Sequence, residues 1–235
     1  MKSPWTTACL ALLAAAGLRG DPAPAPSPPP AGRPATPALI GQVKDGTYVS
    51  PTGAFKVPLP IVPELGGTIS DTDNVVTFDD GFTTHLSIAA FAQDAMQRWE
   101  LTTRGPKDYL IYFFTTFVMP DFLKRFPGAS VSSARFFPTL NDGTLLAYTL
   151  LPGGSALAER VTVSGTDRKA LVAKRGNLLF VKGGFIFVIS SELAEHVLNS
   201  AANQPSAETE DELLRQRLIA FVGRMEFPAP ANQKK

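Results

Sequence analysis

Short runs in which apolar and polar residues alternate dominate the chain between residues 41 and 228. The clearest pair, residues 74–79 and 83–91, flanks Asp80-Gly81, a dipeptide typical of two-residue β-hairpin turns. Asn141-Asp142-Gly143 separates residues 131–140 from 144–151 in the same way. Because strands joined by such short turns run antiparallel, this pattern predicts an antiparallel sheet.

Further strands are predicted on both sides of these hairpins. Tyr48 and residues 55–57 flank a turn sequence, and four more apolar runs lie at 160–164, 169–174, 178–182 and 185–190. The turns between these later runs are predicted at Gly165-Thr166-Asp167, Arg175-Gly176-Asn177 and Gly183-Gly184. The sheet is therefore expected to contain about seven to eight strands.

An aromatic-rich helix is predicted in the middle of the chain. Pro106 suits a first helical turn, and the apolar spacing that follows it indicates a helix over 107–126. Pro120 should kink or divide this helix, because proline lacks the backbone N–H that an α-helix uses.

A second helix is predicted near the C-terminus. Thr209 and Glu212 match a capping box, and the apolar stripe that follows them continues to about residue 223. A shorter helix over 192–202, capped by Ser191, is also predicted. Helices with apolar stripes can cover a face of the sheet, so the predicted class is α+β, with the aromatic-rich helix and the C-terminal helix over the sheet.

Residues 1–20 have the composition of a secretory signal. Lys2 precedes an apolar stretch over residues 5–16, which ends in small residues and is too short to span a membrane. An ordinary N-terminal helix is the alternative. Residues 21–40, rich in proline and alanine, indicate an extended linker, 41–228 a single domain and 229–235 a disordered tail. We therefore expect an exported, periplasmic or extracellular domain with no transmembrane segment.

Composition narrows the classes of partner. The chain has 22 basic and 21 acidic residues and is 44% hydrophobic, which is typical of a globular protein and disfavours nucleic acid as a partner. The single cysteine, Cys9, lies inside the expected signal, so the mature domain would contain no thiol and no disulfide.

One segment resembles a known family. The pattern Tyr48-x4-Gly53-x-Phe55-x-Val57-x2-Pro60 is similar to the opening of PsbP-like domains, which occur in thylakoid-lumen extrinsic proteins and bacterial envelope lipoproteins. The predicted order of elements, ending in a helix and a short apolar strand, resembles theirs as well. This resemblance implies a non-enzymatic protein that docks to or assists larger assemblies, and it implies no catalytic residues. The unusually aromatic first helix departs from the family pattern.

The two histidines offer little material for catalysis. His85 lies two residues from Ser87 on one predicted strand face, with Asp79 across the hairpin, so the three residue types of a hydrolase triad are present. A half-exposed structural histidine near turn carboxylates is the favoured interpretation. His196 lies among acidic residues of a predicted polar helix, where solvation accounts for it.

No cofactor or metal site is predicted. Asp71, Asp73 and Asn74 resemble the start of a calcium loop, but Val75 and Val76 replace the ligand and glycine that would continue it. A turn before a strand is the simpler interpretation.

Two groups of residues are candidates for binding surfaces. A basic group could meet an anionic partner, although a solvated hairpin edge is favoured; it comprises Arg168, Lys169, Lys174, Arg175 and Lys182. An aromatic group on the first helix has more rings than one buried stripe requires and could bind a partner or a hydrophobic ligand; it comprises Tyr109, Tyr112, Phe113 and Phe117.

Three functional hypotheses follow. The favoured one is an exported, non-catalytic domain that binds an envelope protein and is presented on the proline-rich linker. The second is a carrier of a small hydrophobic ligand, with a cavity between the sheet and the aromatic helix. The third is a hydrolase centred on His85.

Overall fold

The computed structural model describes residues 39–81, 84–154, 172–193 and 206–228, which belong to one compact unit of the chain. The strands in these residues are β1 (Gln42–Lys44), β2 (Thr47–Val49), β3 (Lys56–Pro58), β4 (Thr68–Asp71), β5 (Val75–Asp79), β6 (His85–Ala92), β7 (Ser130–Phe137), β8 (Thr144–Pro152), β9 (Val172–Lys182) and β10 (Phe185–Leu193). The helices are α1 (Ala95–Phe113), a π-helical turn (Phe114–Val118), α2 (Met119–Arg125), α3 (Ala207–Val222) and a short 3-10 helix (Pro63–Leu65).

The central element is a seven-stranded antiparallel sheet in the order β4-β5-β6-β10-β9-β8-β7. A separate three-stranded sheet, β1-β2-β3, is joined to the end of the chain by an isolated bridge between Lys56 and Glu226. The predicted α+β class is confirmed, and the predicted Asp80-Gly81 and Asn141-Asp142-Gly143 hairpins join β5 to β6 and β7 to β8.

Both faces of the large sheet are covered. Alternate residues of a strand point to opposite faces, and the two sets pack into two separate hydrophobic clusters. One set, exemplified by Leu179 and Val188, packs with Tyr109 and Phe113 of α1. The other set, exemplified by Phe187, packs with α3 and the small sheet. The sheet is therefore the middle layer of three.

Strand β9 corrects the prediction of a turn at Arg175-Gly176-Asn177. These residues pair with Glu192, Ser191 and Ser190 of β10 in the middle of one eleven-residue strand. Gly176 is needed there because α3 lies close against it: a Cβ at this position would come within 2.9 Å of Leu218 Cδ1. The glycine thus marks a close helix–strand contact instead of a turn.

The first helix begins earlier than predicted. The Asp94 side chain accepts a hydrogen bond from the Gln97 backbone N–H, and the Asp94 backbone N–H donates one to the Gln97 side chain, forming a capping box that begins eleven residues before Gly105. Gly105 interrupts α1 with φ 76° and ψ 165°, a conformation that is essentially restricted to glycine. The expected division near Pro120 is present, because the π-helical turn separates α1 from α2 just before it.

Two predicted caps are wrong. Ser206, and not Thr209, caps α3, because its hydroxyl accepts a hydrogen bond from the Thr209 backbone N–H. Ser191 does not begin a helix, since β10 continues through it to Leu193. The remainder of the short helix predicted over 192–202 lies outside the described residues.

Several predictions fall on residues that the structure does not describe. They are the signal (1–20), almost all of the linker (21–40), the strand at 160–164, the turn at 165–167, His196 and the tail (229–235). Within the described residues, every helix is too short or too polar to cross a lipid bilayer.

Buried tyrosines make stability sensitive to alkaline pH. Burial, together with the negative charge of Asp211, raises the pKa of Tyr148 to about 12, and its hydroxyl donates to the Asp211 carbonyl (2.7 Å). Burial and a hydrogen bond to Asp71 also raise the pKa of Tyr48. The unfolded chain releases these protons near pH 10.

We therefore expect the stabilisation to be complete below pH 10 and to be lost as the pH rises toward 12, by a total of the order of 2 kcal/mol per tyrosine. Urea unfolding between pH 9 and pH 12 would measure this change. Tyr148→Phe removes one ionisable hydroxyl and should flatten the dependence. An equally steep loss in this variant would contradict the assignment to Tyr148.

Candidate functional site

A cleft of about 650 Å³ opens between the large sheet and the helical layer that contains α1, the π-helical turn and α2. Its base, here called the cleft floor, is formed by Ser87, Arg175 and Ser190 on β6, β9 and β10. Apolar side chains cover the rest of the strand side, among them Ala89 and Val188. The cleft therefore has a small polar base inside largely apolar walls.

The helical wall of the cleft is formed by Phe113, Phe117 and Val118. Phe113 is buried and Phe117 is 48% exposed, with their ring centroids 5.1 Å apart. Phe117 and Val118 belong to the π-helical turn, where one extra residue per turn changes which side chains face the sheet. The Thr115 hydroxyl donates to the Ile111 carbonyl (2.9 Å) within this turn. Such turns occur frequently at functional sites.

Arg175 anchors the cleft floor. Its Nη1 donates to Glu192 Oε1 (2.8 Å) and its Nη2 to Ser87 Oγ (3.0 Å). Glu192 is completely buried and Arg175 is 7% exposed, so the pair is shielded from water. The guanidinium carbon lies 5.1 Å from the centre of the Phe122 ring.

Asn177 holds the rest of this polar group in place. Its Oδ1 accepts hydrogen bonds from Arg175 Nε (3.2 Å) and Ser190 Oγ (2.9 Å). Its Nδ2 donates to the Ala147 carbonyl (3.2 Å) and to Thr149 Oγ1 (3.0 Å). Every hydrogen-bonding position of the amide is thus used, which fixes the orientation of the cleft floor.

The rim of the cleft carries charged side chains, and both carboxylates among them have partners. The Asp94 side chain caps α1, and Asp121 lies 3.4 Å from Lys124 Nζ. Arg125 is exposed at the same rim. Within the described residues, the ionisable groups that line the cleft are these two aspartates and the arginines at 125 and 175.

The predicted aromatic surface is divided between the core and the cleft. Phe113 and Phe117 line the cleft, and Tyr112 is half-buried with its ring centroid 6.0 Å from that of Phe117. Tyr109 is fully buried, and its hydroxyl accepts a hydrogen bond from Gln93 Nε2 (3.4 Å). Tyr109 is therefore part of the core and not of an exposed surface.

The predicted basic group does not form one patch. Lys174 and Arg175 are neighbours on β9 and so point to opposite faces of the sheet. Lys174 is buried against α3, with its Nζ 2.5 Å from Asp211 Oδ1 and 3.3 Å from Glu210 Oε2. Lys182 is exposed, whereas Arg168 and Lys169 lie outside the described residues.

The predicted histidine site does not have triad geometry. His85 is buried and not half-exposed, and its Nδ1 lies 3.4 Å from Asp79 Oδ2. Ser87 Oγ accepts a hydrogen bond from Arg175 Nη2, so a guanidinium lies where a triad would place the imidazole. A nucleophilic serine needs a neighbouring base.

The aspartates that resemble a calcium loop have structural partners. Asp71 accepts hydrogen bonds from the backbone N–H groups of Ile40 and Gly41 and from the Tyr48 hydroxyl. The Thr72 backbone N–H donates to the Val75 carbonyl (2.8 Å), as expected of a turn. In the part of the chain that the structure describes, no group of three or more histidine, cysteine or carboxylate side chains is placed to hold a metal ion.

The sequence analysis names Arg175 and Ser87 for other roles and does not predict that they form one polar group with Asn177, Ser190 and Glu192. Arg175 and Asn177 are two residues apart, and so are Ser190 and Glu192, and each pair adjoins an apolar run, at 178–181 and 185–189. Polar residues with a period of two share one face of a strand, which is the signal that could have indicated a buried polar group.

Comparisons with known proteins find distant structural similarity. No family model and no curated protein matches the chain. A cyanobacterial PsbP from Synechocystis is 12% identical and covers 84% of this chain and 98% of its own, with a TM-score of 0.46. The Ran-binding protein Mog1p of Saccharomyces cerevisiae is 10% identical and covers 82% of this chain and 97% of its own, with a TM-score of 0.41.

A third similar structure comes from Bacteroides thetaiotaomicron. It is 16% identical, with a TM-score of 0.35, and it covers 81% of this chain. The chain spans about half of that structure's own length, at 50%. The similar structures thus include a PsbP, the family that the opening pattern around Tyr48 resembles.

Proposed function

We propose that this chain is an exported, non-catalytic binding domain that holds an apolar ligand in the cleft between the sheet and the aromatic helix. The observation that carries the proposal is the cleft itself. Its volume of about 650 Å³ lies within the range of small-molecule sites, and its largely apolar walls lie between a polar floor and a charged rim.

The ionisable groups at the cleft favour holding a ligand over transforming it. A guanidinium carries five N–H donors and no acceptor, so Arg175 can donate hydrogen bonds to a ligand but offers no lone pair to take up a proton. Asp94 is used as a helix cap and Asp121 is paired with Lys124. Ser87 is directed at a guanidinium. The proposal therefore assigns the cleft a binding role.

The export part of the proposal rests on the N-terminal sequence. A charged residue, an apolar stretch and small residues occur in the order of a secretory signal, and a proline-rich segment follows them. Such a segment would hold the domain away from whatever lies at its N-terminus.

Filling the cleft tests the proposal. The neutral fluorophore N-phenyl-1-naphthylamine should bind the natural chain with a saturable rise in fluorescence. Ala89→Trp places an indole in the cleft and should weaken this binding at least about tenfold. Ala134→Trp, the same change on the exposed edge strand β7, should leave it unchanged. Equal binding by a folded Ala89→Trp variant would contradict the proposal.

A protein partner is the second candidate, and exposed apolar side chains favour it. Met96 and Trp99 lie one turn apart on α1 and are 64% and 59% exposed. Exposed aromatic residues of this kind are enriched at protein interfaces. The same variants separate the two candidates: a partner bound at Met96 and Trp99 would still be crosslinked by Ala89→Trp in intact cells.

A further inference from the structure

The cleft floor offers hydrogen-bond donors that its internal contacts do not use up. A guanidinium carries five N–H groups and no acceptor. Three of those of Arg175 are directed at Asn177, Glu192 and Ser87, which leaves one further hydrogen on each terminal nitrogen. Ser87 accepts in its bond with Arg175, so its own hydroxyl hydrogen can still donate. A ligand group beside this floor is therefore best matched by an oxygen acceptor.

Charge decides which kind of acceptor fits. The positive charge of Arg175 is already compensated by Glu192, which is completely buried. Counting Arg125 and Lys124 against Asp94 and Asp121 at the rim, the groups around the cleft sum to zero net charge, so they supply no excess positive charge for an anionic ligand. A carboxylate would enter as an additional anion, and desolvating it there would be costly. An ammonium group would face the donor hydrogens of a guanidinium.

The walls require an apolar ligand body. Phe91, Phe113, Phe117 and Val188 line the space above the cleft floor. We infer that the cleft selects a neutral apolar molecule that carries a carbonyl oxygen, an acyl ester or amide, and that this oxygen binds at Arg175 and Ser87. The inference rests on the proposed binding function and adds the chemistry of the ligand.

Competition among compounds that share an eight-carbon chain tests the selectivity. N-methyloctanamide should displace N-phenyl-1-naphthylamine at concentrations about tenfold lower than octanoate or octylammonium. Displacement by octanoate or octylammonium as effective as that by the amide would overturn the inference. Displacement by N-acetyl-leucine-N-methylamide alone would assign the cleft to a peptide and also overturn it.

Two variants test the assignment of the carbonyl to the cleft floor. Replacing Arg175 and Glu192 together by methionine removes the donors and the charge pair while keeping the cavity apolar. The amide should then compete about tenfold less well, while 1-chlorooctane, which lacks a carbonyl, should compete as before. Ser87→Ala should weaken the amide alone by several-fold, and Lys182→Met, remote from the cleft, should change nothing.

The outcomes separate this inference from the proposed function. If the fluorophore does not bind the natural chain, or if Ala89→Trp leaves its binding unchanged, the binding function itself fails. If the fluorophore binds but the amide keeps its advantage in the methionine double variant and in Ser87→Ala, only the assignment to Arg175 and Ser87 fails.

Discussion

Replacing Glu192 by alanine should lower the free energy of unfolding by about 3–5 kcal/mol. Arg175 would keep its charge in a site where it is only 7% exposed, without the carboxylate that accepts from its Nη1 at 2.8 Å. Leaving one member of a buried ion pair uncompensated costs far more than the pair contributes. Urea unfolding at neutral pH, followed by circular dichroism, would measure the loss.

Two comparisons make this prediction specific. Replacing Arg175 and Glu192 together by methionine removes both charges at once and should cost much less than Glu192→Ala, because Arg175 is no longer left in the site without its carboxylate. Glu212→Ala breaks an exposed pair with Arg215 and should leave the transition nearly unchanged. A double variant as unstable as the single one would show that lost packing, and not the uncompensated charge, dominates.

The parts of the fold that depend on local sequence were predictable. The turns at Asp80-Gly81 and Asn141-Asp142-Gly143 were identified because the conformations that such turns require are encoded within two or three residues. Both hairpins are present with the expected strands on either side. The amphipathic stripe of α3 likewise identified the helix, although its cap lies three residues earlier, at Ser206.

The parts that depend on distant residues were not predictable in this way. Arg175-Gly176-Asn177 has the composition of a turn but lies in the middle of a strand. Glu192 neutralises Arg175 there, and α3 occupies the space beside Gly176. Neither partner is near in sequence.

The candidate site likewise has one part that local sequence predicts and one part that depends on distant residues. Phe113 and Phe117 were predicted because the excess of aromatic residues over one buried stripe is visible in the sequence of the helix itself. The cleft floor was missed because it is assembled from three strands that are separated along the chain.

Replacing Phe187 by alanine should also lower the free energy of unfolding by about 3–5 kcal/mol. Its ring is completely buried and lies 5.2 Å from the ring of Phe180, 5.1 Å from that of Phe227 and 6.1 Å from that of Phe55, measured between centroids. It thereby packs the large sheet against both the small sheet region and the C-terminal residues. Truncation leaves a cavity that these rings can only partly fill.

Phe117→Ala provides the matched change on the other face of the sheet. Phe117 is 48% exposed, so its loss should cost about 1 kcal/mol or less in stability, but it should weaken binding of the fluorophore because the ring forms the helical wall of the cleft. Phe187→Ala should do the opposite, lowering stability while leaving the affinity of the folded molecules unchanged. If Phe187→Ala weakened binding as much as Phe117→Ala at a temperature where both are folded, the two layers would not act independently. If the effects separate, Phe187 stabilises the fold without taking part in binding, and Phe117 takes part in binding with little effect on stability.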